Sequence, residues 1–206
     1  MMLVVGSRVC YRTIGHGVFH CERCGGDRPY RHRSGRRWAH LLGIPVLLLG
    51  ATGEHLICAV CRTCYRVDLL AVPTAEQMQT ALLAGTTAAV LALLTAGSRS
   101  SQVARDRAVR AIRAAGAADY DEARLAAALA GQVPGIGLRP AIEALAVQLE
   151  EHAREWFVAK VVHVGIADGL LGAAERRAAE RIAMYLGMTV AQARAVISTT
   201  EAAQAG

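Results

Sequence analysis

Aromatic residues are scarce in this chain. They make up 4% of its 206 residues, whereas hydrophobic residues as a whole make up 53%. Because sheet-rich proteins depend on aromatic and β-branched side chains, and because alanine is abundant here, the composition favours helices that pack through Ala and Leu. The composition typical of long disordered segments is also absent.

The motifs of common enzyme classes are missing as well. The sequence contains no nucleophile elbow, P-loop or dinucleotide-binding fingerprint, and no cysteine is marked by a partnering base. We therefore predict that the protein is not an enzyme. The run Met1–Val5 has no basic start and is too short for the core of a signal peptide. We accordingly expect a cytoplasmic protein whose paired cysteines bind metal instead of forming disulfides.

Charge is unevenly placed along the chain. The net charge is +6. Residues 1–72 hold ten arginines and four acidic residues, whereas residues 73–206 hold thirteen basic and thirteen acidic residues. All six cysteines also lie in the first part. Two separately built domains, 1–72 and 73–206, explain this asymmetry better than one.

Five of the six cysteines stand in C-x-x-C spacing, one pair early and two overlapping pairs later. Two thiolates three residues apart can bind one zinc ion, and a second pair completes the tetrahedron. Such a site is closed by protein ligands and is therefore structural, so residues 1–72 are predicted to form a small β-rich zinc ribbon. The predicted ligands are Cys21, Cys24, Cys58 and Cys61, with Cys64 as the alternate fourth ligand.

The residues that follow the two cysteine pairs differ. Gly25 follows Cys24 and permits the left-handed backbone that turns amides towards the sulfur atoms. Arg62 follows Cys61, so the second turn lacks that glycine. Between the pairs, Pro45 in the apolar segment 41–49 favours an edge strand or strand pair, and we predict a turn at Gly50–Gly53.

The second part has the pattern of a bundle of six or seven helices. Thr74 and Gln77 form a capping box at the start of the first helix, and Thr189 and Gln192 form one before the last. We expect the tail from Glu201 to be frayed. Residues 77–98 carry no charge, but their apolar part falls short of the roughly 20 residues that a membrane span needs. A buried helix is the expected form, and we do not expect membrane insertion. The alternative interpretation is a membrane-associated adaptor that uses residues 77–98.

A basic run with neighbouring aromatic residues lies between the cysteine pairs. Arginine beside Tyr30 and Trp38 can bind phosphates and stack on bases, which would suit nucleic acid. The run has no recognisable nucleic-acid motif, and a solvated basic face is the alternative interpretation. The arginines concerned are Arg31, Arg33, Arg36 and Arg37.

Two carboxylates lie on either side of the turn in a predicted helix–turn–helix of the second part. Asp168 ends one helix, and Glu175 lies in the first turn of the next. Facing each other, they could hold a hard cation such as calcium or magnesium. The alternative is local, because Glu175 suits a helix N-terminus and Asp168 can accept hydrogen bonds from turn amides.

Two family resemblances accompany these patterns. The helical part resembles the TerB-like family of tellurite-resistance and stress-response proteins, through residues 167–169, Leu171, Glu175 and the helix end at 185–189. The first part looks like the zinc-ribbon module found in front of TerB domains in some bacterial proteins. The residues that carry this second likeness are Gly15, Gly17, Phe19, His20, Cys21, Cys24, Gly25, Gly26, Asp27, Arg36, Arg37, Trp38, Ile44, Pro45, Gly50, Glu54, Cys58, Cys61 and Tyr65.

The resemblance implies an all-helical, pseudo-duplicated bundle in which each half contributes an Asp-Gly…Glu element to an acidic metal site. Asp168 and Glu175 would be the ligands of the second half, whereas Ala96 and Val103 stand where the first half should supply Asp and Glu. It also implies that Cys61, not Cys64, is the fourth zinc ligand, since Tyr65 then aligns best. The function implied is that of a metal-binding interaction or sensing protein in a tellurite or other chemical stress response. Its expected partners are other proteins of a stress-response complex.

Overall fold

The computed structural model describes residues 5–41, 44–97, 101–131 and 137–205. The chain divides into two compact units, Met1–Ala75 and Glu76–Gly206. Within the described residues, the first unit is built on a four-stranded antiparallel sheet, and the chain then continues as seven α-helices. The predicted order of a β-rich part followed by a helical part is confirmed.

The sheet consists of β1 (Val5–Cys21), β2 (Gly26–Leu41), β3 (Ile44–Cys58) and β4 (Cys64–Tyr65). The strands lie in chain order, and each is antiparallel to its neighbour. The β1–β2 turn and the β3–β4 turn therefore lie at the same end of the sheet. The end of β2 and the start of β3 lie at the opposite end, which we call the distal end.

The predicted turn at Gly50–Gly53 is wrong, because β3 runs through these residues as a continuous strand. The pairing of β2 with β3 shifts register three times, and one shift falls where Gly35 pairs with Gly53 and Arg36 pairs with Ala51. Gly53 takes a left-handed φ of 94° at that shift. The glycines thus serve irregularities within a paired strand rather than a chain reversal.

The helices pack through alanine and aliphatic side chains, as the composition predicted. Short 3₁₀ turns lie at Val67–Ala71 and Ile166–Asp168. The α-helices are α1 (Ala75–Ala96), α2 (Gln102–Ala114), α3 (Glu122–Leu129), α4 (Leu138–Ala146), α5 (Glu151–Gly165), α6 (Ala173–Tyr185) and α7 (Val190–Ala205).

The start of α7 agrees with the sequence, but its end does not. Thr189 and Gln192 exchange capping hydrogen bonds, with the Gln192 amide 3.2 Å from Thr189 Oγ1 and the Thr189 amide 2.9 Å from Gln192 Oε1. The prediction of a frayed tail from Glu201 is wrong, because α7 continues to Ala205. Glu201 is only 7% exposed, and both of its carboxylate oxygens lie 2.8 Å from Arg176 Nη2. This buried ion pair fastens α7 to α6.

Helix α1 is the central helix of the second unit because it contributes to two apolar clusters. Leu93 packs in the larger cluster with buried residues of α4, α5, α6 and α7. Val90 and Leu94 pack in the smaller cluster with residues of α2 and α3. A helix that packs on both sides needs apolar residues around most of its circumference, which explains why α1 carries so little charge.

One segment of the described residues, Val67–Ala96, is long and apolar enough to cross a membrane by length and composition. Its most apolar window has a mean hydropathy of 1.5, and 39% of that window is buried. The segment includes α1, so its apolar character is accounted for by the two clusters that α1 joins.

Candidate metal centre

Four cysteine thiols meet at the end of the sheet where the two cysteine turns lie. The sulfur atoms of Cys21, Cys24, Cys58 and Cys61 all lie within 4.8 Å of one another. Cys21 Sγ and Cys61 Sγ are 3.7 Å apart, and all four thiols are free. Around a tetrahedral zinc ion with Zn–S bonds of about 2.3 Å, neighbouring sulfur atoms are about 3.8 Å apart. The cluster therefore has the size that one metal ion requires.

Each turn of the sheet supplies two of the thiols. Cys21 ends β1, and Cys24 lies in the 3₁₀ turn that follows, Glu22–Cys24. Cys58 ends β3, and Cys61 lies in the turn before β4. Because β1 and β3 lie on either side of β2, the two turns approach the same point from opposite sides of that strand.

The two turns share a backbone device although their sequences differ. Gly25 has a φ of 64°, and its amide donates to the Glu22 carbonyl oxygen at 3.2 Å. Arg62 has a φ of 61°, and its amide donates to the Cys58 carbonyl oxygen at 3.1 Å. Among the described residues, Arg62 is the one non-glycine with a positive φ. The second turn thus keeps the left-handed residue of the first without its glycine, although its hydrogen bond reaches the first cysteine and not the residue after it.

A small apolar cluster stands beside the thiols. Cys21 and Cys58 are fully buried, together with Phe19 and Leu56. The ring of Phe19 meets Tyr30 and Tyr65 edge to face, at centroid distances of 5.6 Å and 5.4 Å. These four buried side chains are a small core for a unit of this length, so a metal ion would supply much of its stability.

Hydrogen bonds tie the two turns to each other around the sulfur atoms. The hydroxyl of Tyr65 lies 3.3 Å from Cys21 Sγ and accepts a hydrogen bond from the Arg23 amide at 3.3 Å. The guanidinium of Arg23 donates to Thr63 Oγ1 at 3.2 Å, and Thr63 Oγ1 lies 3.3 Å from Cys61 Sγ. Arg23, Thr63 and Tyr65 therefore form a polar layer around the cluster.

The thiols differ in acidity within this layer. Hydrogen bonding to the side chain and backbone of Thr63 lowers the pKa of Cys61 to about 6. Burial, followed by the neighbouring thiols of Cys61 and Cys21, raises the pKa of Cys24 to about 12. Burial opposes ionisation of Cys21, but hydrogen bonds from Tyr65 and the Cys24 backbone outweigh it, and its pKa is lowered. Four crowded thiols ionise together only when a cation compensates their charge.

The other two cysteines lie outside the cluster. Cys64 is exposed on β4, where it pairs with Ile57, and Cys10 is exposed on β1. The structure therefore groups Cys61, and not Cys64, with the other three thiols. Within the described residues, these four cysteines are the one group of three or more His, Cys, Asp or Glu side chains close enough to share an ion.

The arginines of the basic run all lie on β2. Arg31, Arg36 and Arg37 are exposed, whereas Arg33 is half-buried. Because successive side chains of a strand point to opposite faces, Arg36 and Arg37 lie on different faces of the sheet. The run is therefore divided between two surfaces and does not form one continuous basic face.

The carboxylates of Asp168 and Glu175 both accept hydrogen bonds at helix starts. Asp168 accepts from the amide of Ser101 at 3.3 Å and from its hydroxyl, and Ser101 in turn caps α2. Glu175 accepts from the amide of Gly172 at 2.7 Å at the start of α6. Both line a cavity of about 370 Å³. These contacts give each carboxylate a role at a helix start. For Glu175 the role is local, as the alternative interpretation expected, whereas Asp168 accepts from Ser101 of a distant segment.

The TerB-like resemblance compares the turn that contains Gly97 with the turn between Asp168 and Glu175, and Gly97 lies close to Glu175. A Cβ atom on Gly97 would meet the Glu175 carboxylate, which would have to move aside at the end of its flexible side chain. Residues 98–100 of that turn lie outside the described residues.

Comparison of the chain with models of protein families, with curated proteins and with solved structures gives no match.

Proposed function

We propose that the four-cysteine cluster binds one zinc ion and that this ion holds the first unit together as a zinc ribbon. The observation that carries the proposal is the convergence of four free thiols, two from each turn, within 4.8 Å. Thiolate ligands in C-x-x-C pairs favour zinc over calcium or magnesium, which prefer oxygen ligands.

The role proposed for the zinc is structural. Four protein thiolates fill the four positions of a tetrahedral zinc ion and leave none for water or substrate. Two of the thiols are fully buried, and the polar layer of Arg23, Thr63 and Tyr65 surrounds the cluster. We propose on this basis a non-enzymatic protein in which the zinc shapes an interaction module.

For the biological role we propose interaction or sensing in a tellurite or other chemical stress response in the cytoplasm. The support is the likeness of residues 167–169, Leu171, Glu175 and residues 185–189 to TerB-like proteins, together with the cysteine pattern of the module found before such domains. The partners proposed are other proteins of a stress-response complex.

Elemental analysis of the purified full-length protein tests the zinc centre. We expect about one zinc ion per chain, and we expect Cys21→Ser to lose it because one ligand is removed. Cys64→Ser and Cys10→Ser are the matched controls, since both replace exposed cysteines outside the cluster. Zinc retained by Cys21→Ser, or lost by Cys64→Ser, would refute the ligand assignment.

A growth assay tests the biological role separately. Expression of the wild-type chain in a tellurite-sensitive bacterium should raise the tolerated tellurite concentration, whereas Cys21→Ser should not. Equal growth of wild-type and empty-vector cells across tellurite and other chemical stresses would refute the stress-response role and leave the zinc centre standing.

A further inference from the structure

The distal end of the sheet exposes an unusual number of large apolar side chains. Ile44 is 65% exposed and Leu47 is 61% exposed. Soluble proteins rarely leave so many aliphatic residues of one segment in water, and such patches mark protein or membrane interaction sites. We call this set the distal patch, and its members are Leu41, Ile44, Val46, Leu47, Leu48 and Leu49.

Both faces of the sheet are apolar at this end. Leu47 pairs with Ala39 and Leu48 pairs with Trp38, so these consecutive leucines lie on opposite faces. Within the described residues, β4 pairs only with Leu56 and Ile57, which leaves the outer edge of β3 from Ile44 to His55 without a strand partner. The distal patch is therefore a projecting edge and not one side of a covered sheet.

Positive charge lies near the distal patch. Trp38 lies between Arg8 on β1 and Leu48 on β3 in the register of the sheet. Arg36 and Arg37 pair with Ala51 and Gly50 of β3, just beyond the patch. The one acidic residue of β3, Glu54, lies 2.8 Å from His32 Nε2. Arg12, Arg31 and Arg33 lie farther along the sheet, towards the cysteine turns.

We propose that the distal patch docks onto the surface of an anionic phospholipid bilayer. The aliphatic side chains enter the boundary between headgroups and acyl chains, and the arginines bind lipid phosphates. Trp38 lies where its amphipathic ring suits the membrane–water interface. This inference concerns the sheet alone and is independent of the proposed zinc-dependent function.

Two other occupants fit the patch less well. A second copy of the chain would bring two sets of arginines together, and like charges oppose that association. A nucleic acid would satisfy the arginines but would offer no apolar partner for Ile44, Val46 and the leucines. A bilayer with anionic headgroups satisfies both the charge and the apolar side chains.

The depth of insertion is limited by the backbone. The unpaired outer edge of β3 carries amide and carbonyl groups that need hydrogen-bond partners, which the hydrocarbon core of a bilayer lacks. Headgroups and their water supply such partners. The docking is therefore shallow, at the level of the headgroups, and does not span the membrane.

Sedimentation with vesicles tests the proposal on the full-length zinc-loaded protein. The vesicles are phosphatidylcholine alone or phosphatidylcholine mixed with phosphatidylglycerol. Binding to the anionic vesicles should be at least about tenfold stronger than to the neutral ones at low salt, because the arginines contribute only with anionic lipid. The double variant Leu47→Asp/Leu48→Asp should reduce binding at least about tenfold, because charge disfavours insertion.

Val18→Asp is the matched control. Val18 is 58% exposed on β1, in the same sheet but near the cysteine turns. The Val18→Asp variant should bind anionic vesicles as well as the wild-type protein does. Equal binding to neutral and anionic vesicles, equal loss in Val18→Asp, or no sedimentation at all would overturn the proposal. The proposal would also be overturned if the protein did not bind vesicles but self-associated through the patch. The same holds if it did not bind vesicles but shifted the mobility of a nucleic-acid probe through its arginines.

A spectroscopic measurement avoids any change in the sheet. The chain has two tryptophans, so Trp156→Phe leaves Trp38 as the single reporter. Its emission should shift to shorter wavelength with anionic vesicles and should be quenched by lipids brominated near the headgroup. Emission unchanged by vesicles that sediment the protein would place the contact elsewhere and overturn the assignment to the distal end.

Discussion

Gly25 and Arg62 show how single residues set the shape of the two turns at the candidate metal centre. Each follows the second cysteine of its turn, and their φ angles are 64° and 61°. This conformation costs a residue with a Cβ atom about 1–2 kcal/mol, whereas glycine adopts it readily. We expect Arg62→Gly to raise the free energy of unfolding of the zinc-loaded first unit by up to about 1 kcal/mol, once the greater freedom of unfolded glycine is subtracted.

Replacing the glycine of the first cysteine turn should change the free energy of unfolding in the opposite direction. Gly25→Ala should lower the free energy of unfolding by about 1 kcal/mol, because nothing lies within 4 Å of the added Cβ and only the backbone resists. Gly26→Ala is the control, since its Cβ also meets nothing within 4 Å and its φ is not positive. Denaturant unfolding measures all three. A loss in Gly26→Ala as large as in Gly25→Ala would show that backbone strain is not the cause.

The thiols that meet at the metal centre could be chosen from the sequence, but their surroundings could not. Spacing pairs Cys21 with Cys24, because a tight turn is a local structure, but it leaves Cys61 and Cys64 as alternatives beside Cys58. The likeness to the zinc-ribbon module favours Cys61. The contacts of Arg23 with Thr63 and Tyr65 join residues about 40 positions apart and depend on how the two turns meet. Glu201 was missed for the same reason, since its partner Arg176 lies on another helix.

At the scale of elements, β3 shows where local sequence signals fail. Gly50–Gly53 has the composition of a turn. The strand nevertheless continues through it, because pairing with β2 supplies backbone hydrogen bonds and the register shifts absorb the irregular residues. Pro45, in contrast, lies in a stretch of β3 without an outer strand partner among the described residues, which agrees with the predicted edge strand. Helix starts at Thr74 and Thr189 were easier to predict, since a capping box is contained within four residues.

The packing of helix α1 in the second unit can be tested by substitution. Leu93 is fully buried in the larger cluster, between α1 and the helices that follow it. Leu93→Ala should lower the free energy of unfolding of the second unit by about 2–5 kcal/mol, through lost burial and the cavity that remains. Leu170, which is 71% exposed, offers the same substitution without a cavity. Leu170→Ala should change stability by less than about 0.5 kcal/mol, and an equal loss in both variants would contradict the core position of α1.

For the whole molecule, the asymmetry of charge and cysteine content matches a difference in what holds each unit together. The arginine-rich first part buries few of its apolar residues, and its core in the structure is Phe19, Cys21, Leu56 and Cys58. The second part is rich in alanine and leucine and buries two extended clusters. Composition alone does not predict this contrast, because the first part also contains many aliphatic residues and leaves those of β3 exposed. It could not predict that the strands extend far beyond the small core to an exposed distal end.

The same contrast predicts how the molecule responds to metal removal. Without zinc, the first unit retains only its four buried side chains, whereas the second unit retains all of its core. A strong chelator should therefore unfold the sheet and leave the helices folded, with the helical circular-dichroism signal at 222 nm nearly unchanged. Thermal unfolding of the helices should keep its midpoint, and zinc added back should restore the sheet. Cys64→Ser should respond as wild type does, since Cys64 lies outside the cluster. If the chelator lowered the thermal unfolding midpoint of the helices as much as it destabilised the sheet, the two units would fold as one. If the sheet persisted without metal, its small core would be sufficient to keep it folded.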